Sequence, residues 1–303
     1  MAIGLQNILD SSFMVKLASS LGRRLPPGAG YRLAALVAGQ IARRRDSDLV
    51  RGVRANQWVV RGESLAGEAL DQAVRETFCM AARSIYDLYH YGQNPEAAAK
   101  LIVISPGVQQ IARRLEFEER GLLVVGVHLS SFDLVLQWMG LGGIRPLVIT
   151  IPEPQGGRRM EYEIRKRTGM NLLPASPGAI RQALRHLLRG GFVVTGIDRP
   201  IPDPHLCPLF FGRPAALPTH HIFLAQKAQV PILVMASILR PDGKYHLVSS
   251  ELIEMDYYKD REAGALRNAE KVLSIAEDFI LQAPGQWSIS LPVWPQVLDL
   301  VPD

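Results

Sequence analysis

Beyond residue 120, short apolar runs alternate with longer segments whose apolar residues recur at helical spacing. The runs predict strands at residues 122–127, 146–151, 192–197 and 231–239, with a weaker strand at 245–249. The amphipathic segments predict helices at 131–141, 159–168, 178–189, 218–228 and 262–282. This alternation is typical of an α/β fold, in which helices flank a central sheet.

Residues 1–120 are predicted to be mainly helical. An amphipathic segment runs from Ile3 to Leu21, a second segment at 31–45 is first apolar and then basic, and a long helix covers 65–91. Their apolar faces fit either core packing or contact with a membrane surface. We therefore expect a helical, membrane-associating region at 1–120 and an α/β catalytic region at 121–303, joined as one continuous domain.

The bulk composition favours contact with a membrane surface over binding to nucleic acid. The 303 residues carry a net charge of +5, 48% are hydrophobic, and arginines cluster at 43–45 and 158–159. Basic clusters beside apolar stretches suit an anionic lipid surface, and no nucleic-acid-binding motif is present. The longest apolar stretch near the N-terminus, 33–42, is about half of what a bilayer crossing needs, so we expect peripheral attachment.

The two cysteines, Cys79 and Cys207, give no disulfide framework and no Cys-x-x-Cys pair, which favours a reducing compartment.

The candidate chemistry begins where the strand at 122–127 ends on His128. Two serines, Ser130 and Ser131, then offer N-caps for a helix whose first turn contains Asp133. A carboxylate near the imidazole can fix its tautomer while the other ring nitrogen takes a proton from a hydroxyl. A second His-x4-acid match begins at His246, but it lies in an alternating pattern that predicts an ordinary strand.

Three charged residues further along the chain are also candidates for the site. Arg165 either binds substrate or is a solvated charge on a basic helix. Asp198 and Arg199 follow the strand at 192–197 and form either part of the site or a plain ion pair.

Phe210, Phe211 and Gly212 form an aromatic stretch with two interpretations. Neighbouring aromatics of an extended segment point to opposite sides, so one could be core and the other line a substrate tunnel. Packing of both in the core is the alternative. His220 and His221 do not indicate a metal site, because no third ligand accompanies them.

Four stretches occur in the order of a known family. They are His128-x4-Asp133, the basic segment 165–169 followed by 172–174, the segment 196–200 with 208–215, and the segment 283–287. Together with Asn56, this layout over roughly residues 20–295 resembles the lipid A biosynthesis (lauroyl/myristoyl) acyltransferases of the lysophospholipid acyltransferase superfamily.

The resemblance implies an acyltransferase-type α/β sheet and transfer of an acyl chain to a hydroxyl of a membrane lipid or glycolipid. The donor would be a thioester of acyl carrier protein or coenzyme A, at the cytoplasmic face of the cell membrane, without a further cofactor. By the same resemblance, His128 is the general base and Asp133 its orienter, while Arg165, Asp198 and Arg199 shape the site. The acceptor lipid and the acyl length are left open.

Absent motifs exclude several other enzyme classes. The chain has no Gly-x-Ser-x-Gly elbow, P-loop, His-Glu-x-x-His or Gly-x-Gly-x-x-Gly. Direct transfer in a ternary complex is therefore favoured over a covalent acyl-enzyme. Two alternatives are a lipid-binding protein of the same fold without turnover, and a thioesterase or hydrolase whose histidine activates water.

Overall fold

A mixed sheet with helices on both faces forms the centre of the computed structural model. The structure describes residues 12–118, 120–152 and 170–303, and, between the last two ranges, residues 159, 162, 163, 165 and 166. The first part of the predicted helix at 3–21 and much of the one at 159–168 lie outside the described residues.

The helices are α1 (Ser12–Arg24), α2 (Pro27–Ala42), α3 (Asp48–Val60), α4 (Gly67–Tyr91), α5 (Pro95–Ala99), α6 (Pro106–Glu118), α7 (Phe132–Leu141), α8 (Pro177–Leu187), α9 (His220–Ala228) and α10 (Arg261–Gln282). The strands are β1 (Ile102–Ile104), β2 (Leu122–Gly126), β3 (Leu147–Thr150), β4 (Asn171–Pro174), β5 (Phe192–Gly196), β6 (Leu209–Phe210), β7 (Arg213–Pro214), β8 (Ile232–Leu239) and β9 (Tyr245–Ser249). Short 3-10 turns follow at Pro284–Gln286 and Pro295–Val297.

Seven strands of the described chain form one sheet in the order β1-β9-β8-β2-β5-β3-β4. All neighbours are parallel except β8 and β9. Strand β2 lies in the middle, between β8 and β5, and Gly126 of β2 pairs in register with Gly196 of β5. The carboxyl ends of these two strands therefore meet at one edge of the sheet, where ligands commonly bind in α/β proteins.

The two faces of the sheet bury different clusters. Leu123 and Val125 of β2 point to the face covered by α8, α9 and α10, where the largest apolar core lies. Val124, on the opposite face, belongs to a smaller cluster with Val148 and Val194. Alternate residues of a strand point to opposite faces, so β2 is buried on both sides, as its continuous apolar run predicts.

The N-terminal helices pack on α4, which also lines the cavity described below. The carboxylate of Asp87 on α4 accepts hydrogen bonds from the hydroxyls of Tyr31 on α2, at 2.8 Å, and of Tyr245 on β9. Burial raises the pKa of Asp87, while the two tyrosine hydrogen bonds work in the opposite direction. This buried carboxylate thus connects α2 and α4 to the sheet. Among the described residues, no helix is both long enough and apolar enough to cross a bilayer.

The predicted α/β architecture with N-terminal helices is confirmed. All five predicted strands occur, each within one residue of its predicted start, because β-branched runs mark buried strands well. The helix predicted at 218–228 begins only at His220; Thr219 occupies its N-cap position but makes no capping hydrogen bond. The sequence patterns did not predict α3, α5 and α6 as separate helices, nor the short strands β1, β4, β6 and β7.

Candidate active site

The imidazole of His128 stands two residues beyond the end of β2, at the carboxyl edge of the sheet. Its Nδ1 lies 2.6 Å from Oδ1 of Asp198, a hydrogen bond that leaves Nε2 as the free ring nitrogen within the described chain. The side chain of His128 is 18% exposed, whereas that of Asp198 is fully buried. A buried carboxylate that holds one ring nitrogen of a partly exposed imidazole leaves the other nitrogen able to accept a proton.

The Asp198 carboxylate is held by more than the imidazole. Its Oδ2 accepts the backbone N–H of His128 and the indole N–H of Trp287, both at 2.8 Å. Burial works to raise the pKa of Asp198, but the attraction to His128 and these hydrogen bonds outweigh it and lower the pKa below its usual value. The group therefore stays ionised beside the histidine at neutral pH.

The predicted role of Asp133 needs correction, because its carboxylate does not contact His128. Asp133 Oδ2 instead accepts a hydrogen bond from the Arg165 guanidinium at 2.7 Å, and its buried Oδ1 has no hydrogen-bond partner within the described chain. The physical reason is that Asp133 lies in the first turn of α7 and pairs with Arg165, whereas Asp198 follows β5, the strand that pairs with β2. The structure brings His128, Asp133, Arg165 and Arg199 to one cavity, and Asp198 is buried behind His128, so that the hydrogen-bonded pair is His128–Asp198.

Two contacts fix the plane of the imidazole ring. Phe132 packs edge-on against it, with 4.6 Å between ring centroids. On the sheet side lies Gly196, where an added Cβ would stand only 2.8 Å from His128 Cε1. Real Cβ atoms almost never come so close, so a glycine is needed at this position.

A C-terminal strap, residues 286–288, holds the His128 loop from the other side. Ser288 donates to the His128 carbonyl through its N–H, at 3.0 Å, and its hydroxyl, at 3.1 Å, while Ser130 N–H donates to the Gln286 carbonyl. The Gln286 side chain in turn bonds both backbone groups of Leu239 on β8. The strap therefore ties the loop to the neighbouring strand.

Asn56, on α3, anchors the chain just beyond the strap. Its buried side-chain amide donates to the carbonyls of Ile289 and Leu291 and accepts the N–H of Val293, each at 2.9 Å. The sequence analysis singled out Asn56 and the segment 283–287 without assigning either a task. Their shared task is to hold the segment that packs against the His128 loop.

A cavity of about 910 Å³ opens in front of the imidazole. Its polar end contains His128, Arg165 and Arg199. Its remaining wall follows the sheet face opposite α8 to α10 and is mostly apolar, with Val124, Leu136, Val148, Leu172, Phe192 and Val194. The cavity thus combines one reactive polar end with a long apolar wall.

The aromatic stretch at 210–212 does not line this cavity, so the substrate tunnel predicted beside Phe210 and Phe211 does not coincide with it. Phe210 is fully buried and stacks on Trp294, with 5.6 Å between ring centroids. Phe211 and Gly212 form the turn of the β6–β7 hairpin with positive φ angles of 50° and 71°. That turn directs Phe210 into the core, which is the packing alternative stated above.

Three other histidines, His220, His221 and His246, lie in different surroundings. His220 lines the cavity with its Nε2 3.2 Å from the Thr195 hydroxyl, and burial lowers its pKa. His221 is completely buried, and burial lowers its pKa to about 3. His246 lies in β9, as predicted, and pairs with Asp242 at 2.8 Å. No group of three or more metal-ligating side chains occurs in the described part of the chain.

An α/β sheet with a His–Asp dyad at the polar end of an apolar cavity defines a protein suited to activating a hydroxyl beside a long apolar substrate. A family model described as bacterial lipid A biosynthesis acyltransferase matches residues 13–295, nearly the whole chain. The chain therefore belongs to this acyltransferase family. No curated protein sequence matches the chain at a significant level.

Proposed function

We propose that the protein transfers a fatty acyl chain from an acyl thioester, of acyl carrier protein or coenzyme A, to a hydroxyl of a membrane lipid or glycolipid. The observation that carries this proposal is the His128–Asp198 dyad at the polar end of the apolar cavity. Membership of an acyltransferase family supports the same reaction class.

In the proposed mechanism, His128 Nε2 takes the proton of the acceptor hydroxyl as its oxygen attacks the thioester carbonyl carbon. The carbonyl oxygen becomes the oxyanion of a tetrahedral intermediate. When this collapses, the C–S bond breaks and the thiolate takes the proton from the imidazolium, leaving an ester and a free thiol. Asp198 keeps Nδ1 protonated and stabilises the imidazolium between these steps.

The oxyanion needs hydrogen-bond donors close to the imidazole. We propose Arg199, which lines the cavity directly after Asp198, or the backbone N–H groups at the start of α7. The first N–H groups of a helix have no partner within the helix, and the helix dipole favours an anion there.

The acyl chain is proposed to lie along the apolar wall of the cavity. Phe192, Val194 and Gly196 are alternate residues of β5 on the same face, and Gly196 touches the imidazole while Phe192 lies at the far end of the strand. Four residues of parallel strand span about 13 Å. A chain laid along β5 from His128 therefore reaches Phe192, which we propose as part of the length gauge.

Arg165 is proposed to hold an anionic group of the substrate. The guanidinium lines the cavity, and Asp133 fixes it at 2.7 Å, with 23% of the arginine side chain exposed. An arginine guanidinium can bind a phosphate in a forked contact, and the carboxylate of Asp133 holds this one in place. Asp133 then acts through Arg165 and not through His128.

Attachment to the cytoplasmic face of the membrane is proposed to occur through α1 and α2. Their outer faces expose large apolar side chains, among them Phe13, at 71%, and Leu36, at 68%. Arg23 and Arg24 stand in the last turn of α1, where they can meet anionic lipid. Ile85 of α4, on which both helices pack, is half-exposed and lines the cavity, so lipid can reach the site from this side.

The experiment is incubation of the purified protein with a radiolabelled acyl thioester and a lipid extract. Label in a lipid ester supports the proposed transfer. Label in free fatty acid instead points to a thioesterase, and an unconsumed thioester points to a lipid-binding protein without turnover.

A further inference from the structure

The indole of Trp287 lies directly behind the dyad. Its N–H donates to Asp198 Oδ2 at 2.8 Å, and the same oxygen accepts the backbone N–H of His128. With two donors on Oδ2, the carboxylate can present only Oδ1 to the imidazole Nδ1, 2.6 Å away. The direction of the indole N–H thus selects one orientation of the carboxylate.

We propose that Trp287 is a positioning residue, whose indole N–H holds the Asp198 carboxylate in the orientation that places Oδ1 on His128 Nδ1. The kinetic part of this inference rests on the proposed acyl transfer. The structural part concerns the state of His128 and does not depend on the reaction.

The indole is itself held so that its N–H cannot turn away. Trp287 is fully buried, with the ring centroids of Phe210 and Trp294 at 6.0 and 6.2 Å. Its backbone forms a β-bridge with Leu129, the residue after the catalytic histidine. The packing of Phe210 and Trp294 therefore fixes the indole N–H of Trp287, the donor that orients Asp198.

Trp294 offers a matched comparison within the same cluster. It is as deeply buried as Trp287 and contacts the same phenylalanine, Phe210. Its indole nitrogen has no hydrogen-bond partner in the described part of the chain. Replacing Trp294 by phenylalanine removes a comparable indole without removing a hydrogen bond to the dyad.

The hydrogen bond from Trp287 also affects the charge that Asp198 offers to the imidazole. A donor on the carboxylate disperses its negative charge, so its loss leaves more charge for the imidazolium. Loss of the donor therefore changes both the orientation of the carboxylate and the charge that it presents to His128 Nδ1. The other titratable side chains that line the cavity are Asp133, Tyr162, Arg165, Arg199 and His220, and all of them are present in both variants.

The test compares W287F with W294F, by steady-state kinetics and by NMR titration of His128. We expect W287F to lose about tenfold or more in kcat with little change in KM, because a small displacement of a catalytic group is costly. The acid limb of its pH–rate profile and the titration of His128 should both differ from those of the wild type. W294F should keep the wild-type titration, even if it loses stability.

Equal kinetics and equal titration of the two variants would overturn the proposal, because Trp287 and Trp294 would then both contribute only packing. If W287F does not fold, the wild-type protein provides the measurement. The chain has four tryptophans, at 58, 138, 287 and 294, whose indole N–H signals can be assigned by replacing the other three. The Trp287 signal should shift as His128 titrates while the Trp294 signal does not; a Trp287 signal that stays constant would overturn the proposal.

These titrations also separate this inference from the proposed function. An inactive wild-type protein with a Trp287-dependent titration of His128 would contradict the acyl transfer but support the positioning. An active protein whose W287F and W294F variants behave alike would support the acyl transfer but contradict the positioning role of Trp287.

Discussion

His128 and Asp198 occupy equivalent places on neighbouring strands. Each lies two residues beyond one member of the pair Gly126 and Gly196, which face each other in register on β2 and β5. Parallel strands end at the same edge, so equal offsets bring the two side chains together, with 2.6 Å between Nδ1 and Oδ1. The dyad is thus a product of strand pairing and not of proximity along the chain.

The first prediction concerns the two aspartates. Asp198→Asn removes the charge that stabilises the imidazolium, and we expect kcat to fall about 10²–10⁴-fold, as for loss of an effective general base. Asp133→Asn, which removes the partner of Arg165, should mainly raise KM. The measurement is steady-state transfer of a labelled acyl group. A loss of kcat in D133N that equals the loss in D198N would contradict the assigned roles.

The second prediction uses the glycine pair. In Gly196→Ala the new Cβ lies 2.8 Å from His128 Cε1, whereas in Gly126→Ala the nearest atom is the Thr195 carbonyl oxygen at 3.9 Å. The imidazole must move in G196A only, and a displacement of about 1 Å costs on the order of 10²-fold in rate. Kinetics and thermal unfolding of both variants check this. Similar activity of G196A and G126A would mean that ring position is not critical.

The third prediction concerns acyl length. Phe192→Ala enlarges the cavity at the far end of its apolar wall and should shift the donor preference toward longer acyl chains. Each methylene changes the discrimination by about 1–3 kcal/mol. Phe211→Ala, outside the cavity, is the control and should leave the preference unchanged. Competition between thioesters of different length measures both. If F211A changes the preference and F192A does not, the gauge lies elsewhere.

The fourth prediction concerns membrane attachment. Serine at Phe13 and Leu36 should weaken sedimentation with vesicles of anionic phospholipid, and high salt should release the wild-type protein. Phe223→Ser on α9, where the side chain is 47% exposed, is the matched control for loss of an exposed aromatic. Binding that survives both the α1–α2 substitutions and a carbonate wash would exclude this surface as the anchor.

The architecture could be predicted because most of its strands are continuous β-branched runs that are buried on both faces. Strand β4, Asn171–Pro174, lacks such a run and was missed, as was β1 with its three residues. The N-terminal part of the chain contributes β1 to the sheet by pairing with β9, a long-range contact that no local pattern reveals.

The site could be predicted only in part, because local sequence patterns do not show which distant residues come into contact. His128 could be recognised because it follows a predicted strand. Its partner, Asp198, could not, because the sequence does not show that β5 pairs with β2. Asp133 was the nearest carboxylate in sequence, and sequence distance says little about contact across a sheet edge. The sequence at Phe210 and Phe211 predicts an extended segment, whereas positive φ angles at Phe211 and Gly212 make a tight turn there.

The most direct test of the account is transfer of a labelled acyl chain to lipid by His128→Ala, beside wild type and His246→Ala. His246 pairs with Asp242 on β9, outside the cavity, so H246A should keep wild-type activity. H128A should lose about 10²–10⁴-fold in kcat while remaining folded. A folded H128A that keeps more than about a tenth of wild-type transfer would contradict His128 as the general base.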